Sequence, residues 1–325
     1  MQELWNIYHE EIPEFLWEFM ETKAMQRLKD VGMNCGCEYT QLPLFQTYQS
    51  YSRFDHSVGV ALIVYHFTHD IQQSVAGLLH DIATPVFAHT IDFLNGDYLK
   101  QESTESETKN IIKNSDDMRE ILQKYQLNID DICDYHLYPI ADNDSPKLSS
   151  DRLEYSLGNM LNYGFVSKEK IKEYYQHIYV NHEKNELAFD DFEIAKSFTK
   201  DVLKTSRVYI CDEDRFSMEK LATIIKSAIS EGILCFQDLY TTETEVIQKL
   251  CFNSKFSQKW YDFRQISYIE RYEDYQEGSY CIKAKKRYIL PLYKDQRIDV
   301  LSLEIQKMID DYLDISFDYY IQGKS

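Results

Sequence analysis

His56, the adjacent pair His80-Asp81, and Asp151 are the residues of this sequence whose types best suit shared chemistry. Two imidazoles and two carboxylates offer borderline and hard donors to a divalent cation such as Mn, Fe, Zn, Ni or Mg. Such a set leaves coordination positions open for water and substrate, as a catalytic metal requires. Leu78-Leu79 precede the His-Asp pair and Ile82 follows it, in an otherwise apolar helical stretch. Burying both polar groups there without partners costs roughly 2 kcal/mol or more per group. A bound cation offsets that cost, and so does a hydrogen-bonded His-Asp pair without metal. The dipeptide alone leaves both readings open.

The elements that must position these residues are mostly helices. Residues 3–31 have apolar positions at helical spacing, with Pro13 as the sole breaker and a stop at Gly32. A polar loop follows. "FDHSVGVALIVYHFTHDI" reads as a long apolar helix with Asp55 or Ser57 as N-cap, its start weakened by Gly59. "SVAGLLHDI" is apolar all round and therefore a buried helix that ends before Pro85. "FAHTIDFLNG" gives a third helix closed by Gly96, and "MREILQKYQLNIDDICDYHLYP" is again helical. "KQESTESETKN" reads as a solvated face. After the loop "ADNDSPKLSS", Ser149 or Ser150 caps a helix that begins with Asp151. "HIYVNHEKNELAF" reads as a β-hairpin, and "DDFEIAKSFTKDVLKTS" as the helix after it. Past residue 240 the chain is rich in Tyr and β-branched alternation, predicting strands up to Pro291 and a last helix near 300–313. His56 thus lies at the start of one helix, His80-Asp81 at the end of the next, and Asp151 at the start of a later one. Helix ends in a bundle can converge on one point.

Composition bounds the partners. With 325 residues, 44% of them apolar, the chain can build a substantial core. Only 10 Gly and 6 Pro favour helices with short connections. A net charge of −19 disfavours nucleic-acid backbones and anionic membranes as partners. Neither a signal peptide nor a membrane-length apolar run is read, and the seven cysteines are odd in number and scattered, which fits a cytoplasmic protein with reduced thiols. Cys35-Gly-Cys37, lacking a second Cys pair, is poor evidence for zinc.

The words around the four residues carry a family resemblance. "RFDHSVGV" at Arg53–Val60 resembles the RFxHSxGV word of the HD-domain phosphohydrolase superfamily. "AGLLHDI" at Ala76–Ile82 is similar to its AxLLHDIG, "PVFAHTID" at Pro85–Asp92 to its GPFSHxFD, and "DRLEY" at Asp151–Tyr155 to its DxxDY. "QRLKDVG" at Gln26–Gly32 resembles the QRLrxIxQLG stretch upstream. The resemblance covers about residues 20–165 and is closest to the branch of deoxynucleoside triphosphate triphosphohydrolases. It implies an HD-domain helical bundle and is not extended past residue 250; with the elements read above, the expected fold is mainly α, a helical bundle with a small β-hairpin at residues 1–250 and a small C-terminal α/β region at 251–325. It implies one divalent metal held by His56, His80, Asp81 and Asp151, which binds phosphate oxygens and activates water. Arg53 and His89 match residues at the phosphates, and Arg152 and Tyr155 match a Lys and a Tyr that flank substrate.

The sequence also departs from that branch. Thr84 stands where the triphosphohydrolases have a second His, and Gln101-Glu102 where they have His-Glu. Neither Thr nor Gln titrates near neutrality, so imidazole acid catalysis is lost at both positions. Glu102, His89 and metal-bound water are then the candidate acids. Asn159 replaces an acid that touches the sugar. The expected function is a metal-dependent phosphohydrolase acting on a small-molecule nucleotide or related phosphoester. The alternative is a catalytically degenerate nucleotide-binding or sensor protein. His66 and His69, spaced i, i+3, offer a weak second metal candidate, and His136 could swing toward the site. The alternating run Lys283, Lys285, Lys286, Arg287 reads first as a solvated strand face, and second as an anion site at a homo-oligomer interface.

Overall fold

The computed structural model describes residues 1–47, 50–91 and 107–325. The chain is mainly helical. Its N-terminal stretch forms three short helices, α1 (Gln2–Tyr8), α2 (Glu14–Met20) and α3 (Lys23–Arg27), where the periodicity had predicted one. The breaks have local causes. His9 is extended, Pro13 caps α2 and cannot donate backward, and the Thr22 hydroxyl donates to the Phe19 carbonyl at 2.7 Å.

Helix α4 (Arg53–Thr68) is the axis of the bundle and is buried along most of its length. Its N-cap is Ser52, in place of the expected Asp55 or Ser57. Ser52 Oγ accepts from the Asp55 N–H at 3.2 Å, and Asp55 Oδ2 accepts from the Ser52 N–H at 3.1 Å. This reciprocal cap fixes where the helix begins, and so where His56 sits one turn in. His69 ends α4 in a left-handed conformation. Asp70 then caps α5 (Ile71–Leu79), which returns along α4. Gly77 permits the close approach, since a Cβ there would lie 3.3 Å from Val60 Cγ1. After α6 (Thr108–Asn114), the stretch predicted as one helix from Met118 divides between α7 (Asp116–Lys124) and α8 (Ile129–Ile132). Gln126 adopts a positive φ between the last two, and Asn128 caps α8. Of the predicted helix at 87–96, residues 92–96 lie outside the described residues, and Phe87 and Ala88 adopt positive φ, so its described start is a turn and not a helix.

Ser149 caps α9 (Ser150–Asn162), as expected, accepting from the Arg152 N–H at 3.2 Å. After α10 (Lys168–Gln176) the predicted hairpin forms from β1 (Ile178–Val180) and β2 (Leu187–Phe189), with Ile178 opposite Phe189. Helices α11 (Phe192–Val208) and α12 (Asp212–Ser230) follow, then α13 (Glu243–Phe252) and α14 (Ser254–Arg264). Strand β3 (Tyr268–Tyr272) pairs antiparallel with the late strand β6 (Tyr320–Lys324). The basic stretch around residues 283–287 forms no strand, a departure from the predicted one. Beyond it β4 (Leu292–Tyr293) joins β2 in parallel, Ala188 opposite Leu292, and turns back through β5 (Gln296–Arg297). Helices α15 (Ile298–Leu301) and α16 (Leu303–Leu313) precede β6.

One large core gathers Leu4, Phe19, Leu62, Leu78, Leu157, Phe198 and Tyr312, so the first and last helices share it. A second gathers Phe45, Phe87, Leu221, Trp260 and Ile321. The seven cysteines form no disulfide. No helix among the described residues is long and apolar enough to cross a membrane.

Candidate metal centre

Three of the four sequence-selected ligands converge. His56 Nε2 lies 3.2 Å from His80 Nε2 and 3.1 Å from Asp151 Oδ1, while His80 Nε2 lies 3.8 Å from the same oxygen. Asp81 Oδ2 completes the group at 3.9 Å from His56 Nε2 and 3.7 Å from His80 Nε2. The cluster sits on the wall of a cavity of about 550 Å³.

The other ring nitrogens show which lone pairs point inward. His80 Nδ1 lies 2.7 Å from the Gly77 carbonyl, which can only accept, so the proton is on Nδ1. His56 Nδ1 lies 2.6 Å from Glu154 Oε2. Both imidazoles therefore turn acceptor nitrogens toward each other and toward two carboxylates. Such a donor set fits a cation, since nitrogen lone pairs 3.2 Å apart repel unless a metal or proton lies between them. Without metal, the proton is the remedy. Burial works against charge on His56, but hydrogen bonds to Asp151 and Glu154 outweigh it and push its pKa up to about 10. Asp151 is lowered to about 2 by His56 and His80 against the opposing effect of burial. Asp81 falls well below the usual carboxylate range, where Arg53 and the two imidazoles overcome burial.

Glu154 is the part of the centre that sequence reasoning did not assign. It is 1% exposed, and burial holds its pKa above the ordinary value. Tyr51 donates to Oε2 at 2.5 Å, the same oxygen that faces His56 Nδ1. Two glycines make the space. A Cβ on Gly59 would meet Glu154 Oε1 at 2.6 Å, and a Cβ on Gly158 would meet the Tyr51 hydroxyl at 2.4 Å. Gly59, read from sequence as a weak helix start, is the available signal: a glycine inside an apolar helix marks close approach.

The remaining candidates divide. Arg53 Nη1 binds Asp81 Oδ2 at 2.9 Å, and Arg53 also lines the cavity. His89, Tyr155 and Asn159 line it too, with Asn159 Nδ2 donating to the Tyr209 hydroxyl at 2.8 Å. Arg152 reaches the cavity, but its guanidinium fastens the loop before α9. It binds the Lys147 carbonyl at 2.8 Å, Asn143 Oδ1 at 2.7 Å and Asp142 Oδ1 at 3.0 Å. Thr84 donates to Asp81 Oδ1 at 2.8 Å, orienting that carboxylate. His136 lines the cavity with Nδ1 2.9 Å from Asp142 Oδ2. Glu102 and Gln101 lie outside the described residues. His66 packs edge-on against His9, and among the described residues it belongs to no ligand cluster; His56, His80 and Asp151 form one. Lys285, Arg287 and Asp214 also line the cavity and were not assigned to it from sequence.

Comparison with known proteins agrees with this geometry. Residues 53–156 match the HD domain. The chain is 25% identical over 237 residues to the uncharacterized protein YdhJ of Bacillus subtilis, covering 72% of this chain and 70% of that protein. It is 25% identical over 166 residues to the metal-dependent phosphohydrolase cns2 of Cordyceps militaris, half of this chain and 46% of that protein. Among solved structures, a hypothetical protein from Aquifex aeolicus superposes with a TM-score of 0.64 at 19% identity, covering 96% of this chain and 93% of that one. A phosphohydrolase from Bacteroides thetaiotaomicron superposes with a TM-score of 0.62 at 14% identity, covering 96% of each chain. At these identities the two structures speak for the fold alone. The match from Arg53 to Ser156 encloses His56, His80, Asp81 and Asp151.

Proposed function

We propose that this chain is a metal-dependent phosphohydrolase acting on a nucleotide or related phosphoester. The observation that carries the reading is the inward convergence of His56 Nε2, His80 Nε2 and Asp151 Oδ1 on a cavity wall, with both Nδ1 atoms engaged elsewhere. A divalent metal bound there supplies Lewis-acid activation of water and of a phosphoryl oxygen. The chain's own residues do the rest. Asp81 accepts from both Arg53 and Thr84, so its carboxylate is fixed in one orientation. Arg53 brings a fixed positive charge beside the reacting phosphate. His89, Tyr155, Asn159 and Arg152 form the substrate wall. His89 and Glu102 are the proposed proton donors to the leaving group. The curated relative named a metal-dependent phosphohydrolase supports the reaction class.

Thr84 favours a second reading, a nucleotide-binding protein without turnover. The triphosphohydrolase-like branch needs an imidazole there, and the Thr84 hydroxyl is instead engaged by Asp81. One experiment separates the two. Purified protein is assayed for bound metal and screened on nucleotides and generic phosphoesters with Mn, Mg, Co and Fe. The enzyme reading expects stoichiometric metal and turnover that His80→Ala/Asp81→Ala abolishes. Metal with no turnover on any compound moves the conclusion to binding. A folded protein that takes up no metal removes the ligand assignment.

A further inference from the structure

The cavity beside the candidate metal cluster has two ends. Asp151, Tyr155, Asn159 and Tyr163 recur at i+4 along α9 and its C-cap, and all four line it. With a rise of about 1.5 Å per residue, Asn159 lies about 12 Å and Tyr163 about 18 Å beyond Asp151 along the helix axis. The cluster marks one end, and the surroundings of Tyr163 mark the other. There the Tyr163 hydroxyl donates to Asn34 Oδ1 at 2.8 Å, and the charge of Asp214, from the first turn of α12, reaches Tyr163.

Four carboxylates line this cavity, and three have cationic or imidazole partners. Asp81 has Arg53, Asp142 has Arg152, and Asp151 has His56. Asp214 differs. Among the described residues, no group donates a hydrogen bond to its carboxylate or forms an ion pair with it. Arg215, next in the chain and fully buried, is turned elsewhere: its three nitrogens donate to the Ile210 and Ile282 carbonyls, to Asp212 and to the Tyr319 hydroxyl. Cys35, Cys37, Cys211 and Tyr163 feel the Asp214 charge, and burial holds all four in their neutral forms. Burial also raises the Asp214 carboxyl well above the usual carboxylate range, against the opposing charge of Arg215. A second acceptor is orphaned nearby. Asn159 is 5% exposed, its Nδ2 donates to the Tyr209 hydroxyl, and its Oδ1 has no partner among the described residues.

An enclosed carboxylate without a counter-charge is costly, and a cation entering the cavity removes that cost. The wall selects the kind of cation. The rings of Tyr155 and Tyr209 meet edge to face at 6.3 Å, and Met33 and Met218 line the same cavity. Aromatic rings and thioethers suit an organic ammonium, and they lack the oxygens a hard metal ion requires.

We propose that the far end of this cavity is a binding site for an organic ammonium group, with Asp214 as its counter-ion. The substrate then carries a phosphate at one end and a cationic amine at the other. That second statement rests on the phosphohydrolase reading; the ammonium site does not.

Calorimetric titration of the full-length, metal-free protein with hexylamine and with hexanol tests the site. Hexylamine is expected to bind at one per chain, and hexanol more weakly by about tenfold or more, since only the ammonium meets the carboxylate. Asp214→Asn lowers hexylamine affinity by about 30-fold, the scale for truncating one partner of a buried charge pair, and leaves hexanol unchanged. The same variant should melt no lower than wild type, because it removes a carboxylate that has no partner. Glu213→Gln, beside it in the chain and outside the lining, changes neither affinity. Equal affinity for amine and alcohol, or wild-type hexylamine affinity in Asp214→Asn, overturns the site. A lower melting temperature in Asp214→Asn makes the residue structural and overturns it too. A second equivalent of Mn that Asp214→Asn loses reassigns the end to a metal ion.

The Mn-loaded protein is then titrated with 8-aminooctyl phosphate and octyl phosphate. The aminated compound should bind more tightly, and Asp214→Asn should remove the difference. Equal affinity for the two, in a protein that holds Mn and binds hexylamine, overturns the amine-bearing substrate and keeps the site. Failure of the wild type to take up Mn removes the phosphohydrolase reading alone, because the hexylamine titration is made without metal.

Discussion

Glu154 of α9 crosses directly over Gly59 of α4: a Cβ on that glycine would lie 2.6 Å from Glu154 Oε1 and 2.6 Å from its Cγ. The crossing brings the carboxylate onto His56 Nδ1 at 2.6 Å, and so turns His56 Nε2 toward the metal cluster. A single hydrogen atom in place of a methyl group thus sets the orientation of a candidate ligand.

Gly59→Ala tests the crossing. In an exposed helix interior this change would stabilise by about 1 kcal/mol. Here the added methyl meets a fully buried side chain, so the expected result is a loss of about 1–3 kcal/mol. Denaturant unfolding reads the sign, and a gain in stability would show that Glu154 yields without cost. Metal content should fall in the same variant.

Glu154→Gln separates orientation from packing. The shape is kept, but the amide cannot hold His56 Nδ1 as the carboxylate does. Partners behind a metal ligand contribute about 10–100-fold in affinity. The variant should bind Mn or Zn that much more weakly, with circular dichroism unchanged. Unaltered metal affinity would assign Glu154 to packing alone.

Arg152→Lys removes the fork that binds Lys147, Asn143 and Asp142 together. One ammonium cannot satisfy three acceptors, and Asp142 is 7% exposed. The expected cost is about 1–3 kcal/mol, measured by unfolding without any substrate. A residue that served only to touch substrate would change binding and leave this stability untouched.

Glu38 supplies a pH test away from the metal ligands. Burial, and then the charge of Glu243, push its pKa from 4.5 up to about 8. Glu243 is itself engaged by the Gly32 N–H, the Phe87 N–H and the Tyr39 hydroxyl. The folded state holds a proton that the unfolded state releases earlier, so stability falls as pH rises from about 4.5 to about 8 and levels off above. Glu38→Gln should flatten that decline, on the order of 5 kcal/mol across the window. Thermal melts from pH 5 to 9 with equal slopes in both proteins would exclude Glu38 as the source.

The ligand cluster was legible because its residues sit in short words at helix ends, and helix ends are set locally. Ser149 as the cap of α9 and the hairpin at 178–189 were legible for the same reason: a hydroxyl before a helical run, and alternation around a polar turn. Glu154 was visible only as a residue one turn after Asp151. Its role depends on Gly59, and that pairing belongs to the packing of two helices. The basic run was harder still. Alternation of charge says that a segment has two sides, but the hydrogen bonds of Ile282, Arg287 and Leu290 decide which side meets the cavity. The breaks between α1, α2 and α3 hide behind a continuous apolar period, because all three segments bury residues in one core.

The parallel pairing of β2 with β4 brings Ala188 beside Leu292, and the Pro146–Leu290 hydrogen bond spans a still longer loop. A growing chain therefore holds every residue of the metal cluster long before it can build the basic wall. Contacts of such sequence separation form late, after the local helices. The order of synthesis therefore separates the two parts of the cavity in time: the segment that carries His56, His80, Asp81 and Asp151 is made well before the segment that completes the basic side of its wall.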